Sequence, residues 1–110
     1  MDTMTVPEIP ARDVPEDAYL LDVREPGEWL AGHAPDAVHI PLGQLQARVG
    51  ELPADRTVYV VCRVGGRSYN AAAWLNHIGR HAVNVEGGMQ EWAAADRPMV
   101  SETGQPPFVA

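Results

Sequence analysis

Apolar residues fall along this chain in short blocks, and their spacing switches between the two periods of secondary structure. Tyr19-Leu20-Leu21-Asp22-Val23 is an apolar run broken by one acid and bounded by Pro15 and Pro26, the pattern of a buried strand. Thr57-Val58-Tyr59-Val60-Val61 and Ala82-Val83-Asn84-Val85 read the same way, and Ala37-Val38-His39-Ile40 is a shorter extended piece closed by Pro41. Val6, Ile9 and Val14, set among prolines and acids, anchor a short first strand. Between these runs the spacing turns helical. Pro26 to Ala31 is a helical turn with proline at a first position and Gly32 at its end. Apolar residues at 42, 45, 49 and 52 follow a 3-4-3 helical spacing. A helix from about Ser68 to Ile78 stops at Gly79, and a last short helix, Met89 to Ala94, follows Gly87-Gly88.

Strands alternating with helices over short connections predict an α/β fold: a small, doubly wound parallel sheet flanked by helices. Ligands of such sheets bind beyond the carboxyl ends of the strands, where both Asp22-Val23-Arg24 and the residues after Val61 fall. At 110 residues the chain is expected to form one domain over residues 1–100, followed by a tail, 101–110, with little periodicity.

Composition narrows the function classes. A net charge of −7 argues against nucleic acid and against anionic membrane surfaces as partners. No run approaches the roughly 20 apolar residues of a membrane span, and Met1 to Thr5 lacks the basic and apolar regions of a leader. All eight cationic residues are arginines, and three of them, Arg63, Arg67 and Arg80, lie in or after one loop.

That loop begins at Cys62, the single cysteine. A strand leads into Cys62-Arg63-Val64-Gly65-Gly66-Arg67-Ser68 and a helix leads out, so a thiol stands before a helix N-terminus. There, backbone N–H groups and the helix dipole favour an anion. With two arginines nearby, these influences are of the kind that bring a cysteine pKa from about 8.5 toward roughly 3.5–7.5. A lone cysteine excludes an internal disulfide or a CxxC pair and suits a reducing compartment, here the cytoplasm. His77 and His81 have a spacing of four, but Gly79 breaks the helix between them, so no metal site is expected.

Four segments together resemble the rhodanese family of sulfurtransferases in its single-domain form. They are Leu21-Asp22-Val23-Arg24-Glu25-Pro26 with Glu28-Trp29, Gly32-His33-Ala34-Pro35-Asp36-Ala37, the Val60-Val61-Cys62 loop, and Asn84-Val85-Glu86-Gly87-Gly88-Met89 with Trp92. They occur in family order over roughly residues 7–100. Asp36 stands where the family often has glycine, and Val64 where it often has a small polar residue.

The resemblance implies a thiosulfate-type sulfurtransferase without a cofactor. Cys62 would attack a sulfane sulfur, carry it as a persulfide, and pass it to cyanide or to a thiol or protein acceptor. The expected substrate-binding set is Arg63, Val64, Gly65, Gly66, Arg67 and Ser68. Arg63 is placed to meet a small anionic sulfur donor, and Gly65 and Gly66 suit a cradle of N–H groups. Arg67 either contacts the anion or ties the loop to Asp22, which supports it from behind. Ser68 caps the next helix or donates to the loop.

One alternative is a persulfide carrier or interaction module with little thiosulfate turnover. Another, a Cdc25-like phosphatase or arsenate reductase, needs five residues between cysteine and arginine, whereas four separate Cys62 from Arg67. Structural roles are expected for the remaining polar residues: a surface pair between Arg24 and Glu28, and a hydrogen bond from His33. Trp29, Trp74 and Trp92 are expected to pack on the sheet.

Overall fold

A computed structural model of the protein describes residues 5–110, so the reading of residues 1–4 as part of a leaderless N-terminus lies outside the described residues. Five strands form one wholly parallel sheet in the order β1-β5-β4-β2-β3. They are β1 (Glu8–Pro10), β2 (Tyr19–Asp22), β3 (Val38–His39), β4 (Val58–Val61) and β5 (Ala82–Glu86). The helices are α1 (Pro26–Ala31), α2 (Leu45–Arg48), α3 (Gly66–His77) and α4 (Gly88–Ala94). The expected doubly wound α/β sheet is the one observed.

Strand alternation divides the interior into two cores. Leu21, Val23, Val58, Val60 and Cys62 face one side, where Ala71, Ala72 and Leu75 of α3 and Leu45 of α2 cover them. Leu20, Val61 and Val85 face the other, under Met89 and Trp92 of α4. Burial on both faces explains why these strands are nearly uninterrupted apolar runs. In α3 the buried residues Ser68, Ala71, Ala72 and Leu75 form one helical stripe, and the alanines let its backbone lie close to the sheet.

Two helices differ from expectation. The 42–52 pattern yields only one α-turn, α2, between 3-10 turns at Leu42–Gln44 and Val49–Glu51. Gly43 and Gly50 weaken a continuous helix there, while Leu45 and Leu52 still reach the core. Helix α3 begins at Gly66, two residues early, which brings Arg67 into its first turn. At the end of α1, Gly32 is extended (φ 174°), so its conformation does not demand glycine. Space does: a Cβ would lie within 2.8 Å of the Phe108 nitrogen, where residues 99–108 cross.

Chain order reverses between β2 and β4, whose register sets Asp22 beside Val61. At this switch point Arg24 is completely buried. Its Nε and Nη2 grip Asp22 at 2.9 and 2.7 Å, and Nη2 also donates to the Gly32 carbonyl at 2.8 Å. The cation thus closes the C-terminal end of α1, where free carbonyls favour positive charge. The expected surface pair of Arg24 with Glu28 does not form, because Asp22 draws the guanidinium inward. Glu28 instead takes Arg67 in a two-pronged pair, at 2.7 and 2.8 Å, and joins α1 to α3. Of the two roles considered for Arg67, the tie to Asp22 does not form, because each residue is taken by another partner.

Replacing Arg24 with Ala should destabilise the protein by about 3–5 kcal/mol, because Asp22 would stay buried without its cation. A urea midpoint within error of the parent protein would contradict this. Glu28 gives a pH-dependent counterpart. The Arg67 guanidinium holds its carboxyl down at about 2, against an ordinary 4.5. Between those values the unfolded chain binds the proton and the folded one does not. The stability advantage over Glu28→Gln, on the order of 1 kcal/mol for a partly exposed pair, should therefore be full above pH 4.5. It should vanish as pH falls through about 2; urea titrations across that range would show whether the gap closes.

Candidate active site

Cys62 directly follows β4, and its loop is fixed from three sides. Gly65 takes a left-handed conformation (φ 112°) that turns the chain into α3 and aims its N–H at the Cys62 sulfur, 3.1 Å away. From inside the first turn of α3, the Ser68 hydroxyl lies 3.3 Å from the same sulfur. On the outer side, α4 abuts the loop end-on. Its Met89 and Gln90 N–H groups donate to the Cys62 and Arg63 carbonyls at 2.8 and 3.0 Å. That approach requires Gly88, since a Cβ there would lie on the Cys62 carbonyl oxygen and 2.6 Å from that of Arg63.

Burial alone pushes the Cys62 thiol pKa up. The Ser68 hydroxyl and the N–H groups of Ser68, Gly65 and Val64 outweigh that effect and hold it below the ordinary thiol value. The flanking arginines, expected to contribute, are not among its main causes. Arg67 senses the sulfur's charge but is committed to Glu28.

The other loop residues separate by direction. Arg63 is exposed, and the one hydrogen bond of its side chain among the described residues joins Nε to the Ala110 carbonyl at 3.1 Å. Val64 is 54% exposed and forms the outer lip. Gly66 is helical and open to solvent, so of the two loop glycines only Gly65 needs its conformational freedom. Asp22 lies behind the loop, bonded to the Arg24 side chain and N–H. Asp36 remains on the surface, away from these groups.

Sequence reasoning missed Asn84. It is 1% exposed, and β5 places it with Ala82 on the Cys62 face of the sheet. Its Oδ1 accepts from Ser68, while its Nδ2 donates to Glu8 at 2.8 Å and to the Gly65 carbonyl at 3.2 Å. The available signal was a lone amide on an inward-facing strand position among valines and alanine. His33 and Trp29 are tied together more closely than expected. The Trp29 ring is stacked between the imidazoles of His33 and His39, at 3.5 and 4.7 Å. His33 also meets Ala34 and Glu102.

Comparison with known proteins agrees with this architecture. The profile of the Rhodanese-like domain matches residues 10–95. A protein of Allochromatium vinosum named "Sulfurtransferase" is 41% identical over 90 residues, covering 81% of this chain and 84% of that one. The crystal structure of a rhodanese-related protein from Thermoplasma volcanium superposes with a TM-score of 0.81 at 35% identity, covering 86% of this chain and 97% of the other. An NAD-dependent persulfide reductase from A. fulgidus contains a similar region, with TM-score 0.69 and 36% identity; the match covers 79% of this chain and 16% of that one. The parallel sheet, the cysteine loop at its switch point and these matches together place the chain in the rhodanese-like domain family.

Proposed function

We propose that this protein transfers sulfane sulfur from a small anionic donor such as thiosulfate to a thiol or a protein acceptor through a persulfide on Cys62. The observation that carries the reading is the cradle: a sulfur with a depressed pKa, held by the Gly65 N–H and the Ser68 hydroxyl at the start of a 12-residue helix. A thiolate so prepared needs no separate base. It attacks the outer sulfur of thiosulfate. One S–S bond forms as the donor's breaks, and sulfite leaves with the electron pair. The acceptor thiolate, or cyanide in an assay, then takes the outer sulfur and returns Cys62 to a thiolate. A thiol that must be regenerated each cycle suits the reducing cytoplasm.

The roles of the two arginines divide in this reading. Arg67 holds the loop through Glu28, and Arg63, whose side chain is tethered among the described residues by one main-chain carbonyl, turns to the donor. The four-residue spacing also favours sulfur, and the arginine that would complete a phosphate cradle is engaged by Glu28. A carrier module is the second reading. It draws on the nearly complete burial of Cys62 and on the similar region embedded in a much longer persulfide reductase.

Exposure to thiosulfate should add one sulfur atom to Cys62, visible by intact-mass spectrometry and removed by cyanide. Cys62→Ser should abolish the gain while leaving the fold intact. No mass gain in the parent protein refutes the proposal, whereas loading without steady-state turnover selects the carrier reading. Arg63→Ala should raise the KM for thiosulfate about tenfold with little change in kcat, equivalent to about 1.4 kcal/mol of a charge-assisted hydrogen bond. An unchanged KM would remove Arg63 from donor binding.

A further inference from the structure

Behind the Cys62 sulfur, the Ser68 hydroxyl stands between two acceptors with only one proton to give. Asn84 cannot relieve the conflict by rotating its amide. Its Nδ2 faces the Glu8 carboxylate and the Gly65 carbonyl, both of which only accept, so Oδ1 must face Ser68. Ser68 is fully buried. Its contact with Oδ1 is much shorter than the 3.3 Å to Sγ.

We infer that Asn84 is a positioning residue that makes the Ser68 hydroxyl a two-position switch, donating to Asn84 when Sγ is neutral and to Sγ when it is a thiolate. With a neutral thiol, the weak S–H donor can point at the Ser68 oxygen while the hydroxyl points at Asn84. Loss of the thiol proton makes Sγ a charged acceptor, for which hydrogen bonds are roughly twice as strong. The hydroxyl then rotates to it and Oδ1 loses its donor. When Sγ accepts a second sulfur, the charge moves to that outer atom. Sγ becomes a weak acceptor again, and the proton returns to Asn84. Asn84 therefore disfavours the bare thiolate relative to the loaded persulfide, which promotes sulfur capture. No atom is gained or lost in the switch, only the direction of one O–H bond.

Among the described residues, the charged groups around this centre are few. Glu8 of β1 lies behind Asn84, and Arg67 of α3 is paired with Glu28 of α1. Asp22 and Arg24 pair with each other at the end of β2, Arg63 points outward, and Glu91 of α4 packs under Gly87. Asn84 reaches the sulfur by two routes of opposite sign: through the Ser68 hydroxyl, which it draws away from Sγ, and through Gly65, whose N–H it helps hold on Sγ.

The switch deepens the persulfide reading and rests on it, but its test uses no sulfur donor, so failure of sulfur loading would not be confused with failure here. The measurement is the rate of Cys62 alkylation by iodoacetamide against pH. Ser68→Ala should move the midpoint up. Asn84→Ala should move it down, giving about threefold to tenfold more thiolate at a fixed pH below the midpoint, because the hydroxyl is freed for the sulfur. In a Ser68→Ala background, Asn84→Ala should no longer lower the midpoint. If Asn84 were merely structural, its loss would let Gly65 and Ser68 drift from Sγ and would raise the midpoint. A raised or unmoved midpoint in folded Asn84→Ala, or a downward shift that survives without Ser68, overturns the inference.

Asn84→Leu offers a second route, since it keeps the volume of the side chain and removes its acceptor, and exposed Glu8 can turn to water. The midpoint should also fall, and a raised or unmoved midpoint in folded Asn84→Leu overturns the switch.

Discussion

The site depends on a buried ion pair that never touches the reactive sulfur. Arg24 reaches back to Asp22 and forward to the Gly32 carbonyl, fixing α1 across the end of β2. With α1 in place, Glu28 has two functions. One of its oxygens completes the first turn of α1 by accepting from the Glu25 N–H, and its carboxylate grips Arg67. Arg67 belongs to the first turn of α3, the same turn that delivers Ser68 to Cys62. An arginine was needed at both places. Its planar fork binds a carboxylate at two points and sets a direction as well as a distance, which a lysine ammonium cannot do.

At the sulfur two opposing effects are balanced. A thiol with 1% exposure should resist ionisation, because burial disfavours charge. The loop reverses this by directing N–H groups and a hydroxyl inward at short range. The N–H dipoles are already oriented before any substrate arrives, so only the Ser68 hydroxyl has to turn when charge appears on the sulfur. Gly65 and Gly88 make the geometry possible for different reasons. Gly65 supplies a left-handed turn, and Gly88 supplies the absence of a side chain where α4 meets the loop.

Much of this was legible in the amino-acid order, because the signals are local. Apolar runs gave the strands, Gly79 (φ 93°) ended α3, and Cys62 stood between a strand and a helix. What escaped were partner choices between residues far apart in sequence. Arg24 and Glu28 are four apart and looked like neighbours on a surface. Only the burial of Asp22 shows why Arg24 turns in and leaves Glu28 to a residue 39 positions away. Asn84 looked like one polar residue in a strand. Its partners come from β1, the Cys62 loop and α3, and no spacing rule connects them. The helical spacing at 42–52 reports which face is buried and not whether glycines break the helix.

The charge distribution also takes a different meaning from the structure. In sequence, arginines around Cys62 suggested a local positive field opposing the net charge of −7. In the fold, Arg67 is neutralised by Glu28 and Arg24 by Asp22, while Arg97 lies over the Trp92 ring and donates to two carbonyls on the other face. The attraction felt by an anion at Cys62 therefore comes chiefly from backbone dipoles, with Arg63 at the rim. Dipole fields decay within a few ångströms, well inside the Debye length of about 8 Å at physiological ionic strength. Salt can weaken the approach past Arg63, but it cannot screen the contacts that hold the sulfur's charge.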